Sequence, residues 1–192
     1  MKRLVILFFA FLSTNAWAQT SRSPTPLSLG FYAPFATQPG VKLGIQYPWL
    51  QTSGLFKKLN GSSTQRIRNT FINPEIAYFT RINSNDNLLI NADIGYKVLR
   101  TRKNYYSEYS IGLGYLVSWE TLSVSVNLGS GDISDRDIER RSFFLPTINY
   151  TIGKHVDRGI GWFSKASFGR EISSREDAGF FALEIGITYN IK

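Results

Sequence analysis

The sequence predicts an all-β protein, folded as a single eight-stranded antiparallel up-and-down transmembrane β-barrel. Three observations lead to this prediction. Apolar and polar residues alternate in run after run beyond residue 26, the runs number eight, and the polar face of the runs is rich in glycine and other small residues. Because successive side chains of a strand point to opposite faces, each run must touch two different environments.

The N-terminal segment 1–18 has the features of a secretory signal peptide. Lys2-Arg3 supplies a positive start, residues 4–12 form a short apolar core, and an A-x-A cleavage site ends at Ala18. This apolar core is too short to span a bilayer as a helix. We therefore predict cleavage after Ala18 and one barrel domain of residues 19–192. The chain has no cysteine, so this exported domain must fold without disulfides.

The predicted strands follow one another in series, separated by polar turns and loops. The segment 38–40 is a turn signal, residues 50–65 form a polar connection, and residues 129–141 form the most polar segment, a long exposed loop. After Trp119 the apolar register slips by one residue through 122–126, as it does at a β-bulge. The alternating runs cover approximately residues 27–37, 41–49, 66–82, 87–98, 105–119, 142–153, 159–171 and 181–191.

The identity of the solvent on each face decides between two classes of barrel. In a lipocalin-like soluble barrel the apolar face points inward, whereas in an outer-membrane barrel it points outward to lipid. Small residues on the polar face suit the crowded interior of an eight-stranded barrel. Aromatic residues also gather at the ends of the apolar runs, where headgroup boundaries favour them. The membrane barrel is therefore the better prediction. The predicted interface aromatics are Trp49, Tyr105, Trp119 and Tyr189.

Charged residues on the polar face are the candidate functional residues of the lumen. The pattern predicts four bases and four acids there, and buried charges must be paired or solvated. Equal numbers favour a salt-bridged plug, with a narrow ion path or a carboxylate catalytic site as the alternatives. The predicted network comprises Lys42, Glu75, Arg81, Asp93, Lys97, Glu108, Lys165 and Glu184.

Four stretches carry a resemblance to a known group of proteins: GFYAPFATQPGVKLGIQYPW (30–49), SIGLGYL (110–116), FFLPTINYTIG (143–153) and LEIGITYNIK (183–192). The chain resembles the small eight-stranded outer-membrane β-barrel proteins of Gram-negative bacteria, and more narrowly uncharacterised members from Bacteroidota-like organisms. The resemblance implies a fold and a location, not an activity. Such barrels commonly end on an aromatic residue, whereas this chain ends in Lys192, with Tyr189 three residues earlier.

Catalytic, metal and cofactor signals are weak in this sequence. Acyl-transfer chemistry needs a nucleophile with a histidine and a carboxylate, but the only histidine, His155, falls in a short turn between predicted strands six and seven. The acids of the 129–141 loop lack the spacing of an EF-hand and are interleaved with arginines. We therefore predict no catalytic, metal or cofactor site, and no enzymatic activity.

The functional prediction is a non-enzymatic integral outer-membrane barrel with a structural, adhesive or surface-interaction role. Its predicted partners are outer-membrane lipid and a surface partner of the 129–141 loop. No motif supports nucleic-acid binding, despite a sequence pI near 9.8. Two alternatives remain open: a lipid-modifying outer-membrane enzyme, and a soluble periplasmic ligand-binding barrel.

Overall fold

The structure is a computed structural model, which describes residues 25–57, 63–81, 85–100, 104–121, 138–156, 159–173 and 177–191. These residues form nine strand segments. They are β1 (Thr25–Pro34), β2 (Gly40–Ile45), β3 (Tyr47–Lys57), β4 (Ser63–Arg81), β5 (Asn85–Arg100), β6 (Tyr105–Thr121), β7 (Ile138–Lys154), β8 (Ile160–Ile172) and β9 (Asp177–Ile191). Within this described part of the chain, no helix is long and apolar enough to cross a bilayer.

The nine segments occupy eight positions around a closed barrel. β2 and β3 both pair with β4 and follow each other directly, so they count as one interrupted strand. The first and last strands, β1 and β9, pair antiparallel over ten residues and close the ring. Every strand pair is antiparallel. The predicted eight-stranded up-and-down barrel is confirmed.

The strands are staggered around the barrel. A row of directly paired residues that starts at Arg66 on β4 returns to β4 at Ile76, ten residues further along (66 to 76). Stagger of this kind tilts the strands, typically by about 35–45° from the barrel axis. The row passes through Arg66, Arg100, Tyr105, Lys154, Trp162, Ile187, Leu29, Leu43 and Ile76.

The apolar face of the barrel points outward. Leu113, Ile148 and Ile185 are 54%, 70% and 66% exposed, whereas the adjacent residues Asn149 and Glu184 are buried. A continuous exposed apolar wall of this size is not stable in water, and it suits the hydrocarbon layer of a membrane. The barrel is therefore a transmembrane one, and the soluble ligand-binding alternative is wrong.

The barrel has two distinct ends. Thr25 pairs with Ile191, so the first residue of β1 and the last residue of β9 lie together at what we call the terminal end. At the opposite end, which we call the distal end, β1, β4, β6 and β8 end and β2, β5, β7 and β9 begin. At the terminal end, β3, β5 and β7 end and β4, β6 and β8 begin.

Two predicted connections are shorter in the structure. The predicted connection 50–65 is mostly strand, because β3 continues to Lys57 and β4 already begins at Ser63. The predicted loop 129–141 ends earlier, because residues 138–141 pair with β6 and belong to β7. In both places the sequence is polar and does not alternate with apolar residues. Pairing with the neighbouring strand nevertheless keeps it extended. The predicted signal peptide and the predicted register slip at 122–126 lie outside the described residues.

Candidate functional site in the barrel lumen

The structure places seven of the eight predicted charged residues inside the barrel, all of them buried. They come from six strands, because inward positions recur at every second residue. Arg81 is the last residue of β4, and its side chain lies outside the described part of the structure. The seven buried residues are Lys42, Glu75, Asp93, Lys97, Glu108, Lys165 and Glu184.

Five of these residues form an alternating chain of acids and bases across the bore. Lys42 joins Glu184 and Glu75, with Nζ–O distances of 2.6 and 3.0 Å. Lys165 joins Glu75 and Asp93, with distances of 2.7 and 2.6 Å. β4 and β8 are four positions apart in a ring of eight, so the Lys165–Glu75 pair crosses the full width of the lumen. This ion pair blocks the bore at its centre.

A second ion pair lies nearer the terminal end. Lys97 Nζ is 2.9 Å from Glu108 Oε1 and also donates to the Gln46 side-chain carbonyl at 3.0 Å. The Gln46 amide donates in turn to Glu108 Oε1 at 3.1 Å. The Lys97 ammonium lies 4.0 Å from the centre of the Tyr106 ring, a cation–π contact. Three groups thus satisfy one buried lysine.

Neutral side chains complete the central network. Asn91 donates to Glu75 at 3.1 Å and to Asp93 at 2.7 Å, and Asn149 donates to Asp93 at 3.1 Å. Asn73 donates to Glu75 at 2.8 Å. Among the described residues, the lumen network holds one more carboxylate than lysine, and these amide donors help to satisfy the surplus oxygen atoms. These asparagines were not among the residues predicted for the network, although their inward register identifies them.

The distal end of the lumen is closed by apolar packing. Tyr32 and Phe79 meet edge to face, with ring centres 5.6 Å apart, and the Tyr32 ring also contacts the Lys42 ammonium. We call this packed group the septum. The septum was not predicted from the sequence, because its large residues occupy inward positions that the pattern predicted to be small or polar. The septum comprises Tyr32, Ala77, Phe79, Leu89, Leu116, Leu145, Phe180 and Ala182, with Phe143 packed against it.

The free space in the lumen increases towards the terminal end. A cavity of about 10 Å³ lies beneath the septum, and one of about 40 Å³ lies beside the central ion pairs. The first has about the volume that a single water molecule needs. A larger cavity, of about 180 Å³, lies at the terminal end, and we call it the mouth cavity. It is lined by Pro26, Gln46, Pro48, Gln51, Ile67, Asn69, Phe71, Lys97, Leu99 and His155.

Glycine at inward positions makes the crowded network possible. A Cβ atom built at Gly30 would lie 2.6 Å from Glu184 Oε1, and one built at Gly112 would collide with the side chains of Asp93 and Thr147. At these positions the carboxylates occupy the space that a larger residue would need. The carboxylate side chains of the lumen therefore pack directly against the strand backbone at these glycines.

The four predicted interface aromatics lie on the outside of the barrel near its ends. Trp49, Tyr105 and Tyr189 are exposed at the terminal end, and Trp119 is half-buried at the distal end. Tyr105 packs edge to face against Trp162, with ring centres 6.2 Å apart. These positions suit amphipathic rings at a headgroup boundary.

His155 lies at the terminal end, directly after β7. Its backbone N–H donates to the carbonyl oxygen of Asn104 at 2.6 Å, and the residue lines the mouth cavity. Within the described ranges, no group of three or more histidine, cysteine or acidic residues is arranged to hold a metal ion.

Comparison with known proteins shows the fold but no family. Neither a protein-family model nor a curated protein sequence matches the chain. The crystal structure of the outer membrane enzyme PagL matches with a TM-score of 0.50 and 12% identity, covering 86% of this chain and 99% of that one. The beta domain of the Bordetella autotransporter Brka matches with a TM-score of 0.31 and 7% identity, covering 88% and 98% of the two chains.

The likeness to PagL contradicts the prediction that the protein is not an enzyme. That prediction rested on the single histidine and on the weakness of metal motifs, yet PagL is an outer membrane enzyme with a similar barrel. The physical reason for the error is that a closed lumen does not exclude chemistry elsewhere. The outer wall and the two rims of such a barrel also carry side chains. The likeness itself shows the fold alone.

Proposed function

We propose that the protein is an integral outer-membrane β-barrel whose lumen is closed to solutes and whose role is structural, adhesive or surface interaction. The observation that carries the proposal is the Lys165–Glu75 ion pair across the full width of the bore. The septum adds a second, chemically different closure at the distal end. A barrel closed in two ways is suited to anchor and present its connecting segments rather than to conduct.

Export and an outer-membrane location are supported by two independent features. The N-terminal segment has the pattern of a cleaved signal peptide, and the barrel exposes an apolar wall to its surroundings. The fold is also similar to that of an outer membrane protein. Outer-membrane lipid is then the partner of the apolar wall.

The distal end carries the proposed surface-interaction segment. An even number of barrel strands leaves both chain ends on the same side, which is the periplasmic side in outer-membrane barrels. The connection between β6 and β7 then faces the cell exterior. Residues 129–141, which cover the end of this connection and the first residues of β7, are rich in both acids and arginines, a composition suited to polar contacts with a surface partner.

Electrical recording tests closure directly. The purified barrel is reconstituted into planar bilayers, with Lys154→Ala as a matched control that alters an exposed lysine. We expect no conductance steps from the unaltered protein or the control. A variant that removes both closures, Lys165→Ala with Phe79→Ala and Phe180→Ala, should give measurable steps. Regular ion-conducting steps from the unaltered protein would overturn the proposal.

Catalysis at the membrane is the second candidate, favoured by the fold shared with the outer membrane enzyme PagL. The assay incubates the reconstituted barrel with outer-membrane lipids and follows their masses with time. Heat-unfolded protein and the variant His155→Ala serve as controls. A lipid product that appears only with folded protein would establish this second candidate. Unchanged lipid masses in every sample would remove it.

A further inference from the structure

Two bases and two aromatic rings alternate in a row on the outer wall at the terminal end. Arg100 of β5 pairs directly with Tyr105 of β6, which pairs in turn with Lys154 of β7. Lys154 also pairs directly with Trp162 of β8. All four side chains are exposed, and directly paired residues point to the same face of a sheet. These four residues therefore form one belt across four strands, which we call the basic row.

The basic row lies where the apolar wall ends. On the outward face of β5, Tyr96 and Val98 precede Arg100, and on the outward face of β7, Ile152 precedes Lys154. Arginine and lysine rest their aliphatic stems on apolar surface and extend the charged group into a polar layer. Tyrosine and tryptophan favour the same headgroup boundary. The basic row therefore lies at the depth of the lipid headgroups in the leaflet at the terminal end.

A small hydroxyl residue lies between the two bases, next to Tyr105 on the same face of β6. Ser107 pairs directly with Val98 on one side and with Ile152 on the other, and it is half-buried. Because its side chain is shorter than those of both partners, the wall is lower at this point. The bases on either side belong to strands two spacings apart, roughly 10 Å. Their long side chains can therefore converge on one phosphate group, to which the Ser107 hydroxyl can also donate.

The outward charge at the terminal end is not balanced by acids. Among the residues that the structure describes, no acidic side chain faces outward at this end, and the nearby Glu108 points inward to Lys97. The distal end is different, because Trp119 there pairs directly with one acid, Asp86, and one base, Arg140. The two ends of the outer wall thus carry similar aromatic residues but different charge, and the terminal end is the one that favours an anion.

We infer that the basic row is a binding site for an anionic phospholipid in the leaflet at the terminal end. Arg100 and Lys154 bind the lipid phosphate, Ser107 donates a hydrogen bond to it, and the acyl chains lie along the apolar wall. A zwitterionic headgroup binds more weakly, because its own ammonium group offsets the phosphate. The inference needs a bilayer around the barrel, but neither the closed lumen nor the loop interaction of the proposed function.

Tryptophan quenching in lipid vesicles tests the inference, with Trp162 as a reporter within the basic row. Trp17→Phe, Trp49→Phe and Trp119→Phe together leave Trp162 as the single tryptophan, and a second protein keeps Trp119 instead. Both are reconstituted into mixtures of phosphatidylglycerol and phosphatidylcholine, one of which is brominated high on its acyl chains, where bromine quenches an adjacent tryptophan. We expect phosphatidylglycerol to be preferred about fivefold at Trp162. No preference is expected at Trp119.

Charge variants of the Trp162 reporter locate the site. Arg100→Gln with Lys154→Gln should abolish the preference for phosphatidylglycerol, and Arg100→Glu with Lys154→Glu should reverse it. The matched control Arg140→Gln removes an exposed base at the distal end and should leave the preference at Trp162 unchanged. The shift of the folded barrel in unheated electrophoresis confirms that each variant is folded.

Three outcomes would overturn the inference. One is equal quenching of Trp162 by the two brominated lipids. Another is the same preference at Trp119 as at Trp162, which would indicate attraction to the positive net charge of the whole protein rather than to a site. The third is a preference at Trp162 that survives the loss of both bases. None of these measurements depends on conductance, so failure here is distinct from failure of the closed-lumen proposal.

Discussion

The distal and terminal halves of the lumen close the same bore in different ways. The distal half packs aromatic and aliphatic side chains around Tyr32 and Phe79, and the central and terminal parts use lysine–carboxylate pairs held by amide donors. The apolar half leaves about 10 Å³ of free space beneath it, whereas the polar half widens to about 180 Å³. The difference teaches that inward register alone does not determine the chemistry of the lumen.

The central ion-pair chain should be the more sensitive region. Lys165→Ala leaves Glu75 and Asp93 buried without their shared base, and losing one partner of a buried pair costs about 3–5 kcal/mol. We expect a loss of this size in the free energy of unfolding, measured by urea titration of the barrel in detergent with tryptophan fluorescence. A loss below about 1 kcal/mol would show that the pairs are solvated.

Truncation in the septum should cost somewhat less. Leu145→Ala removes a side chain that is 1% exposed, and buried leucine-to-alanine changes cost about 2–5 kcal/mol. We expect a loss of about 3 kcal/mol in the same titration. Leu113→Ala is the matched control on the lipid-facing wall, where no internal cavity is created. Equal losses at Leu145 and Leu113 would contradict the septum as a packed core.

A third prediction concerns the glycines that face the ion-pair network, where an added side chain would crowd the carboxylates. Gly30→Ala places a Cβ atom 2.6 Å from Glu184 Oε1, so the Glu184 side chain, whose Oε2 is paired with Lys42, must shift. Overpacking of this kind costs about 1–3 kcal/mol. Gly179→Ala is the control, since a Cβ there meets no atom within 4 Å. Equal free energies of unfolding for Gly30→Ala and Gly179→Ala would contradict this explanation of the glycine-rich lumen.

The smallest effect is expected at the terminal pair. Lys97→Met with Glu108→Gln replaces the pair by neutral side chains of similar length, and such replacements of a whole buried pair are often close to neutral. We expect a change below about 1 kcal/mol. The single variant Lys97→Met should lose more stability than this double variant, because it leaves Glu108 without its base. The reverse order would contradict the pairing.

Much of the fold could be predicted from the sequence, because alternation is a local property. The period of two places Leu113 outside and Glu184 inside without any knowledge of tertiary structure. The extension of β3 and β4 into the predicted connection 50–65 was missed for the same reason, since Gln51, Thr52 and Ser53 do not alternate. Only cross-strand pairing keeps that segment extended.

Pairing across the lumen was beyond prediction from the sequence. Which carboxylate meets Lys165 depends on the ten-residue stagger of the closed barrel, and no local pattern specifies that stagger. The septum was missed because residues such as Leu145 and Phe180 appear as isolated exceptions to the polar register. They form a cluster only once their strands are aligned.

The most direct test of the outward apolar face is a spin-label scan along β7 in lipid vesicles. The chain lacks cysteine, so single cysteines at residues 144–150 can each carry a nitroxide. Collision with oxygen, which dissolves in lipid, should peak at Phe144, Ile148 and Tyr150 and fall at Leu145, Thr147 and Asn149. A reversed pattern, with the odd-numbered positions in contact with lipid oxygen and Ile148 shielded, would contradict the account.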